Sequence, residues 1–145
     1  MILQNYSTRL SAAVVILLVG IFFPIKADCA PGELYETDLG SGTVFKFADD
    51  GSKSTFASGL VAPVGLAFDG KGHVFIGDTG NATIVKVAPD GTQNVLAVIQ
   101  NDGPTGMAFD ASGNLYVSLF NGGVVLKITP DGTQSTFASG LGNLT

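Results

Sequence analysis

The sequence predicts an all-β fold of β-propeller repeats, an incomplete set of about three four-stranded blades following an N-terminal signal helix. Two observations carry the prediction. Lys46, Lys86 and Lys127 recur at spacings of 40 and 41 residues, each in an apolar run (TVFKFADDG, TIVKVAPDG, VVLKITPDG), and Gly51, Gly91 and Gly132 keep the same spacing. Within one period, four runs of β-branched and aromatic residues are separated by Asp- and Gly-rich turns. A fixed period of this size marks a solenoid, a propeller or an array, and four antiparallel strands per period make a propeller blade.

The N-terminus is a separate element. Arg9 leads into AAVVILLVGIFFPI, and small residues follow at Ala27, Cys29 and Ala30. That order is the one a secretory signal uses, so residues 1–27 are expected to be a signal peptide cut after Ala27, with a secreted or periplasmic destination. The uncharged run Leu10–Ile25 is shorter than the roughly 20 residues a bilayer core requires, so no stable membrane span is expected once the signal is removed. Cys29 is the only cysteine, which excludes an intramolecular disulfide.

Residues 28–145 form the partial propeller, in units 32–60, 61–100 and 101–141. The first unit opens on GELYETD, whose Tyr35 and Asp38 align with Phe75 and Asp78, so it lacks its innermost strand. In the second unit the four runs are PVGLAFD, HVFIGD, TIVKVAP and QNVLAVI; the third repeats them from PTGMAFD with a shift of 41. The turns DGKG, DASG, DDGS and PDGT supply the Asp and Gly that tight hairpins need. In the inner strands Leu66 and Phe68 alternate with Gly65 and Ala67, as Met107 and Phe109 do with Gly106 and Ala108. A bulky face can therefore nest on a small one, with glycine allowing close backbone approach.

The segments PVGLAFDGKGHVFIGDTGNATIVKVAPDG and PTGMAFDASGNLYVSLFNGGVVLKITPDG resemble NHL-type repeats and the related gluconolactonase (SMP-30), strictosidine synthase and streptogramin lyase propellers. The resemblance implies fold more strongly than activity, because the shared residues are turn and packing residues. For the lactonases it implies an acid between the proline and glycine that open an inner strand, holding a metal and acting as base. The matching positions here are Val64 and Thr105, neither of which can do that work. Glu33 and Glu36 lie in a different strand context from the first-blade glutamate of those enzymes. For the lyases the resemblance implies a histidine base. His73, the only histidine, sits beside the Gly70–Gly72 turn and is expected to be an exposed turn position.

In a meander the connections between strands two and three, and between one blade and the next, share one end of the blade. Loops of varied sequence on repeated strands are where binding residues gather, so that end is the candidate ligand-binding face, with Asp38, Asp78, Asn81, Asp102, Thr105 and Asn121. Such oxygen-rich side chains suit calcium or magnesium, while the competing role is to satisfy loop amides. No cofactor is firmly implied. The Asp of each DG turn is explained by the hairpin alone, and Lys46, Lys86 and Lys127 by apolar surface covered with their stems. The NAT sequon at Asn81 matters only in a glycosylating host.

After Ala27 the chain holds all 12 acids but five bases, every one a lysine, which argues against nucleic acid and anionic membranes. The expected partners are a protein or a small polar ligand. Three blades fall short of a closed ring, so the chain is expected to be a fragment, an open arc, or a subunit that self-associates to complete a propeller. The expected function is an exported binding or interaction scaffold without its own catalytic site. The alternative is a divalent-metal-dependent lactonase or esterase whose catalytic residues come from further blades.

Overall fold

The computed structural model describes residues 33–100 and 102–142, and all of their regular structure is β. The expected signal peptide and Cys29 lie outside the described residues. The first sheet is β1 (Leu34–Asp38), β2 (Thr43–Phe47) and β3 (Lys53–Ala57). The second contains β4 (Pro63–Phe68), β5 (Val74–Asp78), β6 (Thr83–Val87) and β7 (Gln93–Val98). The third contains β8 (Pro104–Phe109), β9 (Leu115–Leu119), β10 (Val125–Ile128) and β11 (Gln134–Ala138). Each sheet is an antiparallel meander, and among the described residues the first has three strands, where the others have four.

Turn chemistry sets the hairpins. In the β6–β7 turn Gly91 adopts φ +85°, which a side chain would resist, and its N–H donates to the Ala88 carbonyl at 2.9 Å. Asp90 Oδ1 accepts the Thr92 N–H at 2.9 Å; Asp50 with Ser52 and Asp131 with Thr133 do the same in the other blades. The repeated aspartates are thereby accounted for as turn residues.

The repeated lysines have ring partners. Lys46, Lys86 and Lys127 lie directly across the strand pair from Tyr35, Phe75 and Tyr116, with Nζ 5.8, 5.4 and 5.9 Å from the ring centroids. Lys46 also pairs with Glu33. Stem packing thus comes with a cation–π contact on an aromatic face.

The sheets stack through two apolar layers. Between the first and second lie Val44, Ala57, Leu60, Val74, Ile76, Val85 and Val87, with Tyr35, Leu66 and Phe68 beside them. Between the second and third lie Ala67, Phe75, Ile84, Ala97, Ile99, Leu115, Val117 and Ile128, with Met107 and Phe109. The aromatic contacts repeat: Phe68 meets Tyr35 at 5.3 Å and Phe109 meets Phe75 at 4.8 Å, each ring crossing to the preceding sheet. The outer faces differ. Tyr116 is met by Phe137 of its own sheet, which is 63% exposed. On the first sheet, exposed Glu36 occupies the position of buried Ile76 and Val117.

The inner strands approach closely. A Cβ on Gly65 would stand 2.0 Å from the Thr105 carbonyl oxygen and 3.5 Å from Met107 Cε, so the small face of β4 is required by the backbone of β8. Both inner strands also carry a bulge, with Val64 and Gly65 facing one residue of β5 and Thr105 and Gly106 facing Ser118. Gly65→Ala should therefore destabilise the fold by about 2–3 kcal/mol through backbone overpacking. Gly91→Ala has open space around its Cβ, so it should cost only the left-handed strain of about 1–2 kcal/mol. Urea denaturation of the two variants measures the difference.

Candidate functional site

Six residues were expected on one face: Asp38 and Asp78 end β1 and β5, Asn81 and Asn121 lie in the loops after β5 and β9, and Asp102 lies in the loop before β8. Thr105 instead stands in the β8 bulge. Two pairs form, one in each complete blade.

In the second blade Asp78, only 1% exposed, accepts the Val61 N–H on Oδ1 at 2.8 Å and the Asn81 Nδ2–H on Oδ2 at 2.8 Å. It ties the loop leading into β4 to the β5–β6 turn. The Gly80 N–H reinforces the tie by donating to the Val61 carbonyl at 2.7 Å. In the third blade the same two loops are joined from the opposite side. Asp102 occupies the place of Val61, and its Oδ1 accepts the N–H of Gly103 at 2.8 Å and of Asn121 at 2.9 Å. Asp38 has a local role, its Oδ1 accepting the Gly40 and Ser41 amides. Thr105 Oγ1 donates to the Ser118 carbonyl at 3.1 Å, while Ser118 Oγ accepts the bulge N–H of Gly106 at 2.8 Å.

These bonds fix the electrostatics. The Ser41 amide and hydroxyl hold the Asp38 carboxyl below its ordinary value. At Asp102 burial pushes the pKa up, but the Asn121, Gly103 and Gly122 amides outweigh it and the net direction is down. Among the described residues no group of three or more His, Cys, Asp or Glu side chains is arranged to hold a metal ion.

His73 is half-buried, which corrects the expectation of an exposed position. Its Nδ1 lies 2.7 Å from Asp69 Oδ2, with side-chain exposure of 25%. Asn114, 41 residues on, bonds Asp110 in the same way at 2.8 Å, so the histidine does the work of a turn amide. Burial raises the Asp69 pKa, but the Lys71 amide and His73 bring it below its usual value.

A cleft of about 440 Å³ opens between the first sheet's trailing loop and the outer half of the second sheet. Ser58, Asp78, Asn81, Thr83, Gln93 and Asn94 supply its polar lining, with Leu60 and Val85 among its apolar residues. Thr83 and Gln93 escaped sequence reasoning because nothing in a strand's own residues reveals what faces it from the neighbouring sheet. The corresponding position in the third sheet is different: Gln134, in the place of Gln93, donates to the Val98 carbonyl at 3.2 Å, and Leu119 replaces Asp78.

The lowered carboxyls predict acid sensitivity with a definite sign. Asp38, Asp50, Asp69, Asp90, Asp102, Asp110 and Asp131 all favour their ionised forms in the fold, so their stabilisation is present above the ordinary value of 3.8 and is lost as pH falls through the lower folded values. Tm should be nearly level from about pH 7 to about 5 and should drop below about 4. Asp102→Ala leaves the Asn121 and Gly103 amides without their acceptor; it should cost about 1 kcal/mol at neutral pH and flatten the acid slope, as thermal melts across pH would show.

Comparison with solved structures agrees with this architecture. A nidogen from a nidogen–laminin complex superposes with a TM-score of 0.70 at 26% identity, over 80% of this chain and 48% of that one. Virginiamycin B lyase from Staphylococcus aureus gives 0.65 at 17%, over 73% and 37%. A gluconolactonase from Xanthomonas campestris gives 0.65 at 17%, over 74% and 43%. The chain thus spans less than half the length of each of these structures. No curated protein matches it. Among the described residues no helix is long and apolar enough to cross a membrane. The model of the SMP-30/gluconolactonase/LRE-like region matches residues 26–138, and the chain belongs to that family.

Proposed function

We propose that this chain is an exported propeller-repeat scaffold that binds a protein or a small polar ligand and has no catalytic site of its own. One observation carries the reading. At the two inner-strand positions where the family resemblance implies a metal-holding acid, the chain has Val64 and Thr105. Val64 contributes only its carbonyl, which accepts the Thr37 hydroxyl at 3.3 Å, and the Thr105 hydroxyl is engaged with Ser118. The carboxylates of Asp78 and Asp102 are occupied by loop amides, a holding role. The nidogen–laminin likeness supports a protein ligand. The outer face of the third sheet, with Tyr116 and Phe137, is where self-association would add a further sheet.

The family match favours a second reading, a divalent-metal-dependent lactonase completed by residues from further blades, with calcium or magnesium as cofactor. The two readings separate in one experiment. On the scaffold reading, adding millimolar calcium or magnesium leaves Tm and lactone hydrolysis at the levels seen in EDTA. A metal-dependent rise in both would establish the lactonase.

A further inference from the structure

Asp78 presents a problem the loop tie alone does not solve. It is a carboxylate almost wholly removed from water, and buried charges are ordinarily paired with an opposite charge. Among the described residues the ion pairs are Lys46–Glu33 and His73–Asp69, and no cation reaches Asp78. The residue nevertheless lies on the wall of the cleft of about 440 Å³, within the range of roughly 300–1,000 Å³ typical of ligand sites.

The cleft's other polar groups suit a cation. A carboxylate only accepts hydrogen bonds, so Asn81 must present its Nδ2 to Asp78, as observed, and its remaining polar end is the carbonyl oxygen. The Thr83 hydroxyl and the Gln93 carbonyl add two more acceptors, and no lysine, arginine or histidine lines the cleft. The lining offers an anion no positive charge, and Asp78 would repel it. In the next interblade position Leu119 replaces the carboxylate and Gln134 ties the sheets together, so the second position offers neither the charge nor the free glutamine.

From this juxtaposition we propose that the cleft between the first two sheets is a binding site for an organic cation, the guanidinium or ammonium group of a partner's basic side chain. The inference rests on the scaffold reading and names the chemistry of its ligand. The group enters beside Asn81, Thr83 and Gln93, donates hydrogen bonds to their oxygens and lies over the Asp78 charge. Leu60 and Val85 pack against the aliphatic stem.

The test is a titration of the full chain, made in a bacterial host so that Asn81 stays unglycosylated, with acetyl-Gly-Arg-Gly-amide and with the same peptide carrying citrulline, the neutral isostere. Backbone amide shifts at Gly59, Asn81 and Gln93 should saturate with the arginine peptide, and the citrulline peptide should bind at least about tenfold more weakly. Added salt should weaken the arginine peptide. Gln93→Leu should lower its affinity about three- to tenfold at unchanged Tm, and Asp78→Asn should erase the preference over citrulline. Propylguanidine identifies the source: equal affinity means a free cation suffices, and a tenfold weaker affinity assigns the ligand to a polypeptide. Equal binding of the two peptides, binding unaffected by Gln93→Leu, or the same shifts from calcium alone would overturn the proposal. Lactone turnover would overturn the scaffold reading and leave this site standing.

Discussion

Everything in this fold depends on how closely neighbouring sheets can approach at their inner strands. Gly65 admits the β8 backbone, and Phe109 meets Phe75 a few residues further along; between the first two sheets Phe68 meets Tyr35 in the same manner. Tight at one margin and filled by larger side chains further out, the sheets must diverge. The cleft in which Asp78, Thr83 and Gln93 meet lies on the other side of the second sheet, against the loop that trails the first.

The architecture was largely legible in the residues. The spacing of 40 and 41 between the lysines and between the turn glycines placed the hairpins, and the alignment of GELYETD with the VFIGD strand matches the three strands that the first sheet has among the described residues. One signal went unread. Tyr35, Phe75 and Tyr116 each precede their lysine by 11 residues, the separation that brings two residues face to face across a short hairpin. The bulges at Val64–Gly65 and Thr105–Gly106 were not legible, because two residues opposite one is a property of the strand pair.

The candidate face was legible only as composition. Asp38, Asp78, Asn81, Asp102 and Asn121 do lie at strand ends, but whether an aspartate serves a ligand or a loop is decided by which amide it meets. Asp38 meets only its own turn, but the Asp78–Val61 and Asp102–Asn121 bonds join residues 17 and 19 positions apart, too distant for turn rules to anticipate. His73 shows the same limit: its partner Asp69 is four residues away, yet only comparison with Asn114 in the next blade reveals that the imidazole stands in for an amide.

The Asp78 and Asp102 ties fasten the same two loops with their parts exchanged. The carboxylate sits on the strand-end side in one blade and on the incoming-loop side in the next, while the loops stay fastened. What the architecture demands is an acceptor and a donor facing each other across that gap, indifferent to which segment brings which. Blade geometry can therefore persist through mirror-image swaps of chemistry, and residue-by-residue matching between blades will understate how alike they are.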